Sequence, residues 1–176
     1  MSKNNAMKAK IPVRKSIRAI LLNQSGEVLL LKADDPYTTT AEGHHRGPFW
    51  FLVGGKIEQG ESEEQACLRE IFEETGISSE MVKLGPVVWK SEISLVLNGT
   101  LTKIKQRFMI TRTTSKTISL SHLSAQEKKV IKDARWFSLN ALQNCEELIY
   151  PLGLRASMND IFQGNYPIEP VEIEDT

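Results

Sequence analysis

Little in this sequence could cross-link it. Two cysteines, Cys67 and Cys145, stand in 176 residues. That is too few for a disulfide framework, and they lack the paired spacing of a zinc site; free thiols in a reducing cytoplasm are the expectation. Long apolar runs are also missing. No stretch approaches the roughly 18 residues of a membrane span, and the N-terminal MSKNNAMKAKIPVRK is basic and polar, without the apolar segment of a secretory signal. Neither sign of charge is in excess. Lys plus Arg and Asp plus Glu number 22 each, so no global field draws in nucleic acid or an anionic membrane, and no basic stripe is present. Any recognition of phosphate has to be local. Three histidines are present, and the adjacent pair His44 and His45 has no third ligand at a metal-binding spacing.

What is present suits one globular domain: a 40% hydrophobic share over this length can bury a sizeable core. Residues 17–22 (IRAILL) and 27–32 (EVLLLK) flank a turn at 23–26 and read as a hairpin. The connection 33–48 is long enough to suggest function or mobility, and its His44-His45-Arg46 cluster is a candidate contact for an anionic substrate, set against an ordinary solvated loop. The apolar run 49–53 (FWFLV) reads as a buried strand leading into Gly54 and Gly55. Residues 84–97 and 100–112 have strand composition around Asn98-Gly99, a strong hairpin signal. A Ser/Thr-rich loop follows at 113–123, then a short helix at 124–132, a strand at 133–139, and helices at 140–147 and 152–162, the second with Leu154, Met158 and Ile161 on one face. The domain is expected over 13–162, between a flexible arm at 1–12 and a loosely ordered acidic tail at 163–176.

Between these elements, 55–77 reads GKIEQGESEEQACLREIFEETGI. Ser62 and Gln65 form a capping-box pattern at a helix start, and Gly76 suits the left-handed position after its last turn. At about 100° per residue, Glu63, Glu70, Glu73 and Glu74 share a sector roughly 100° wide. Cys67, Leu68, Ile71, Phe72 and Thr75 make a mostly apolar stripe for packing on a sheet. Such an acidic face repels itself unless something positive sits in it. Hard dications bind carboxylate oxygen, and Glu70, Glu73 and Glu74 are spaced to converge on one; the other reading is a solvated acidic face.

This segment resembles the Nudix box: Gly55, Glu61, Arg69, Glu70, Ile71, Glu73, Glu74, Gly76 and Ile77 fill its fixed positions. More weakly, the hairpin, long loop, aromatic strand and late Arg-Trp-Phe-Ser-Leu are similar to bacterial, MutT-like Nudix hydrolases across most of 15–160. Val53 departs from the proline common before the Gly pair. The resemblance implies an α+β Nudix fold, an α/β/α sandwich with a mixed, curved β-sheet flanked by helices. It also implies a hydrolase of acid anhydrides that cleaves a nucleoside diphosphate linked to another moiety, of nucleoside triphosphate or nucleotide sugar type.

By that resemblance Glu70, Glu73 and Glu74 are metal ligands for Mg2+, with Mn2+ the alternative, and the carbonyl of Gly54 or Gly55 is a further oxygen. Arg69 and Glu61 pair to fix the loop against the helix. Glu58 touches either a metal-bound water or only the loop. Glu127 is the candidate general base and a further acidic ligand, with Glu70 the alternative base. Arg18, Arg46 and Arg107 are candidate phosphate contacts by their charge, and Trp50, Trp89 and Trp136 are candidates for base stacking, with Trp136 suiting the core better. Ser91 to Leu95 occupy the region where ADP-ribose and dinucleoside polyphosphate groups carry proline and tyrosine markers. The expected partner is a small nucleotide-like diphosphate, with homodimerisation a further expectation. The competing class, a Nudix-fold binding or sensor domain without catalysis, should lack box glutamates, and all are present.

Overall fold

The computed structural model describes residues 10–176; most of the expected arm, residues 1–9, lies outside the described residues. The chain order is β1 (Val13–Leu22), β2 (Val28–Ala33), β3 (Thr38–Thr40), β4 (Phe49–Leu52), β5 (Gly54–Lys56), α1 (Glu63–Thr75), β6 (Val82–Leu97), β7 (Thr100–Thr113), α2 (Glu127–Val130), β8 (Ile131–Phe137), α3 (Leu139–Gln143), β9 (Ile149–Tyr150), α4 (Leu154–Phe162) and β10 (Val171–Glu172). Among the described residues, no helix is long and apolar enough to cross a membrane.

The sheet runs β10-β6-β7-β1-β2-β4-β9, with β5 added to β1, β8 to β2 and β3 to β6. It is mixed, as expected: β1 and β7 are parallel, whereas β6 and β7 form the long antiparallel hairpin turned at Asn98-Gly99. β1 explains why IRAILL reads as a continuous apolar run, since a strand covered on both faces has few polar positions. Ile17, Ala19 and Leu21 meet Ala66, Cys67 and Ile71 of α1 in one core. Ile20 and Leu22 meet Leu142, Leu154, Met158 and Ile161 of α3 and α4 in the other. Each such aliphatic side chain contributes roughly 1.5–3 kcal/mol of burial free energy, so both faces of β1 anchor the sandwich.

Several elements differ from the sequence reading, among them the helix expected at 140–147, which ends at Gln143. The 33–48 connection contributes β3, which pairs with β6 through Thr38↔Leu97 and Thr40↔Leu95. The helix expected at 124–132 shrinks to the four residues of α2, because Ile131 already begins β8 and pairs with Ala33. The acidic segment after α4 is ordered: Val171 and Glu172 pair in parallel with Trp89 and Lys90, and Ile173 enters the core beside α4.

Candidate active site

α1 starts and stops where the sequence indicates. Ser62 accepts from Gln65 N, the Gln65 side chain accepts from Ser62 N, and Gly76 takes the left-handed conformation at φ 72°. Its faces are not divided as the stripe suggested. Glu70 and Glu74 are buried with Ala66, Cys67, Ile71 and Thr75, while Phe72 is 42% exposed. Two of the acidic residues therefore point into the protein.

What admits them is the glycine pair. Gly54 has φ 132°, and a Cβ there would collide with the Ile17 carbonyl; its N–H donates to Glu74 Oε2 at 2.8 Å. A Cβ on Gly55 would sit 2.5 Å from Glu70 Oε1. The second glycine makes room for a carboxylate. Burial pushes the Glu74 carboxyl up to about 8, against the pull of the Gly54 N–H and of Arg18. Burial also raises Glu70, opposed by its hydrogen bond to Arg69. Cys67, beside them, is pushed up to about 12 by burial and by Glu70, and is inert as a nucleophile.

Arg69 is the positive centre of the cluster. It grips Glu61 with Nε and Nη2 (2.8 and 3.0 Å), reaches the Lys56 carbonyl with Nη2 (2.9 Å), and donates from Nη1 to Glu70 and Glu73 (2.9 and 3.0 Å). The forked bond to Arg69 holds Glu61 down at about 2. Glu58, the other loop carboxylate, pairs with Lys56 at 2.9 Å.

Glu70 and Glu74 border a cavity of about 280 Å³, lined also by Gly54, Gly55, Glu127 and the β1 side chains Arg14, Ser16 and Arg18. Glu127 closes one rim: its Oε2 accepts from Ser124 N at 2.7 Å, and it repels the ionised form of Glu74. Arg18 donates to the Gly54 carbonyl, so one of the two glycine oxygens expected on a metal already has a partner; its Nε holds Gln106 Oε1 at 2.9 Å. Arg14, whose pKa burial and Arg18 lower, was missed by the sequence reading. The spacing of Arg14, Ser16 and Arg18 by two is the signal that places them on one strand face.

Of the other expected contacts, Arg46 lines the cavity. Trp50 and Arg107 do not. Trp50 is fully buried, edge-on to Phe137 at 5.0 Å, with its indole N–H on Glu147. Arg107 faces α1 and pairs with Glu63 at 2.8 Å. Both follow from strand alternation, since the neighbours Phe49, Phe51, Gln106 and Phe108 take the cavity side.

Among the described residues, no three acidic, imidazole or thiol groups converge as a ready-made cation cage. The donor set nevertheless fits a hard dication. Glu70 and Glu74 are buried carboxylates whose charge is penalised by burial, and positive charge beside them would favour the ionised form. Glu73 stands outside the cavity lining, 43% exposed, and joins the cluster through Arg69.

A family model described as the NUDIX domain matches residues 12–154. A Bacillus subtilis protein assigned as an 8-oxo-dGTP diphosphatase is 40% identical over 67 residues, 38% of each chain. An RNA pyrophosphohydrolase of Roseobacter denitrificans is 30% identical over 76 residues, 43% of this chain and 42% of the relative. The matched stretch thus spans less than half the length of these curated relatives. Among solved structures, the MutT protein of Methanosarcina mazei Go1 superposes with a TM-score of 0.57 at 24% identity, over 89% of this chain and 94% of that one, a likeness of fold.

Proposed function

This chain belongs to the NUDIX family, and on that premise we propose that it hydrolyses a pyrophosphate bond in a nucleoside diphosphate linked to another moiety, of nucleoside triphosphate or nucleotide sugar type. The observation that carries the reading is the pair of buried carboxylates, Glu70 and Glu74, on one cavity wall with the guanidinium-bearing face of β1. The names of both relatives, a diphosphatase and a pyrophosphohydrolase, support cleavage of a phosphoanhydride.

In this reading Glu70 and Glu74, with Glu73 drawn in, hold magnesium or manganese. Bound there, the dication supplies Lewis-acid polarisation of the diphosphate. Arg14 and Arg18 attract the anionic oxygens, and the Glu61–Arg69 clamp fixes α1 against the glycine loop. Water attacks phosphorus, the P–O–P bridge breaks, and Glu127 takes the proton of the attacking water through the oxygen that Ser124 leaves free, with Glu70 as the alternative acceptor.

Purified protein incubated with magnesium and a panel of nucleoside triphosphates and nucleotide sugars should release phosphate, pyrophosphate or nucleoside monophosphate. Glu127→Gln should lower turnover by about 10²–10⁴-fold if it is the base. Turnover of no panel member would sink the hydrolase reading in favour of a nucleotide sensor, and unchanged turnover in the variant would remove Glu127 from the mechanism.

A further inference from the structure

The cavity extends beyond the glutamates, and its far end has a construction that phosphate chemistry does not require. Its floor is Ile93, Leu95 and Ile104, a small apolar cluster separate from both main cores. Phe49 and Tyr150 stand at the side, ring edge to ring face at 5.2 Å. The Arg46 guanidinium lies 3.5 Å over the Tyr150 ring, and its Nε and Nη2 are buried with no acceptor among the described residues. At about 280 Å³ the cavity falls just below the roughly 300–1,000 Å³ of ligand sites. That suits one ring system and its sugar better than two.

Into this apolar end the chain places a carboxylate. Asp175 is 7% exposed, and its Oδ2 accepts from Ser91 Oγ and from Gln106 Nε2, each at 2.5 Å. The orientation of the Gln106 amide is fixed from its other side, because Oε1 is held by Arg18. The NH2 group must therefore face Asp175. The backbone around Asp175 is seated as well: Gly153 N donates to the Glu174 carbonyl at 2.8 Å, Ile173 N donates to the Lys90 carbonyl at 3.0 Å, and a Cβ on Gly153 would lie 2.8 Å from Ile173 Cγ1. Burying a carboxylate is costly unless its oxygens are bonded. Here both bonds fall on Oδ2, and the other oxygen has no protein partner among the described residues.

We propose that Asp175 determines which nucleotide this site accepts: its spare carboxylate oxygen receives a hydrogen bond from an exocyclic amino N–H on the nucleobase, which lies on the Ile93, Leu95 and Ile104 floor. This rests on the nucleotide reading given above. A base edge that offers only acceptors leaves that oxygen desolvated and unpaired, and is rejected. Arg46 supplies the complementary donors to an acceptor of the same ligand.

The test uses nucleoside monophosphates, which have no anhydride to cleave, in chelator, with affinity read by calorimetry. The matched pairs are guanosine and inosine monophosphate, which differ by the 2-amino group, and adenosine and purine riboside monophosphate, which differ by the 6-amino group. The full chain should prefer the amino member of at least one pair by about tenfold, the size expected for a hydrogen bond to a charged group. Asp175→Asn can keep its oxygen on Ser91 and Gln106 and turn its NH2 to the cavity, so that preference should vanish or invert with an unchanged melting temperature. Asp175→Ala, which offers neither donor nor acceptor, should lose the preference without inverting it. The inference is overturned if the variants keep the wild-type preference, if the wild type binds all four alike or none, or if selectivity follows only the 2′-hydroxyl in a ribose and deoxyribose comparison. A protein that discriminates these ligands through Asp175 but cleaves no anhydride would overturn the hydrolase reading alone.

Discussion

Glu61 and Glu74 are the same side chain in the same short segment, and they titrate at opposite ends of the scale. Glu61 is held at about 2 by a forked bond to Arg69 near the surface. Glu74 is raised to about 8 by burial that one backbone N–H and the charge of Arg18 do not offset. The first has its countercharge in the fold and uses it to set geometry. The second has been moved out of water without a full partner, which is a state suited to receiving a proton or a cation. The box glutamates therefore split into a clamp and a receptor, and the split comes from environment.

Of the two halves of this split, breaking the receptor should cost the more activity. Glu74→Gln keeps an acceptor for Gly54 N–H but loses the charge, so hydrolysis should fall on the order of 10²–10³-fold while the melting temperature at pH 8 holds or rises. A variant as active as the wild type would end the assignment. Breaking the clamp should cost less activity and more structure. Glu61→Gln loses the charged fork on Arg69, which should lower turnover roughly 10–100-fold, as for residues that orient metal ligands, and destabilise the fold by about 1–2 kcal/mol. If neither turnover nor melting temperature moves, the clamp is ornamental.

The smallest effect sharpens the contrast by pH. In chelator the folded state holds the Glu74 proton above the ordinary value of 4.5, so between about 4.5 and 8 it binds more protons than the unfolded chain. Stability should therefore fall as pH rises through that window. For Glu61 the sign reverses, with stability lost as pH drops from 4.5 toward 2. Melting temperatures from pH 5 to 8 should decline in chelator, and either magnesium or Glu74→Gln should flatten the decline; a wild-type profile already flat in chelator would contradict the burial argument.

The sheet, α1 and its caps were legible because each rests on local chemistry: an apolar run, a capping box, an Asn-Gly turn. The acidic face of α1 was half legible. Glu70, Glu73 and Glu74 had to meet something positive, and the fold already supplies Arg69 to Glu70 and Glu73, but that Glu70 and Glu74 would lie on the buried side depends on how closely Gly55 lets the strand approach. Arg14 gives little local signal because it precedes the apolar run that marks the first strand. Residue type alone assigns Trp50 and Arg107 to the site, whereas the two-residue period of their strands turns them from the cavity. Asp175 had no local signal. Its segment reads as a loosely ordered acidic tail, and only β6, Gly153 and Gln106, all distant in sequence, give it a seat.

The two ends of the cavity also differ in how far along the chain their parts must travel. Glu74 and Gly54 are 20 residues apart, whereas Arg18 and Gln106 are separated by 88 and Gln106 and Asp175 by 69. Contacts between distant residues form slowly, because a long loop must close before anything rewards it. A folding chain would then own its acidic helix before the wall that restricts what reaches it. Selectivity, in this molecule, would be a late property of the assembled fold, and substitutions that weaken the β1, β6 and β7 seams should coarsen discrimination before they abolish chemistry.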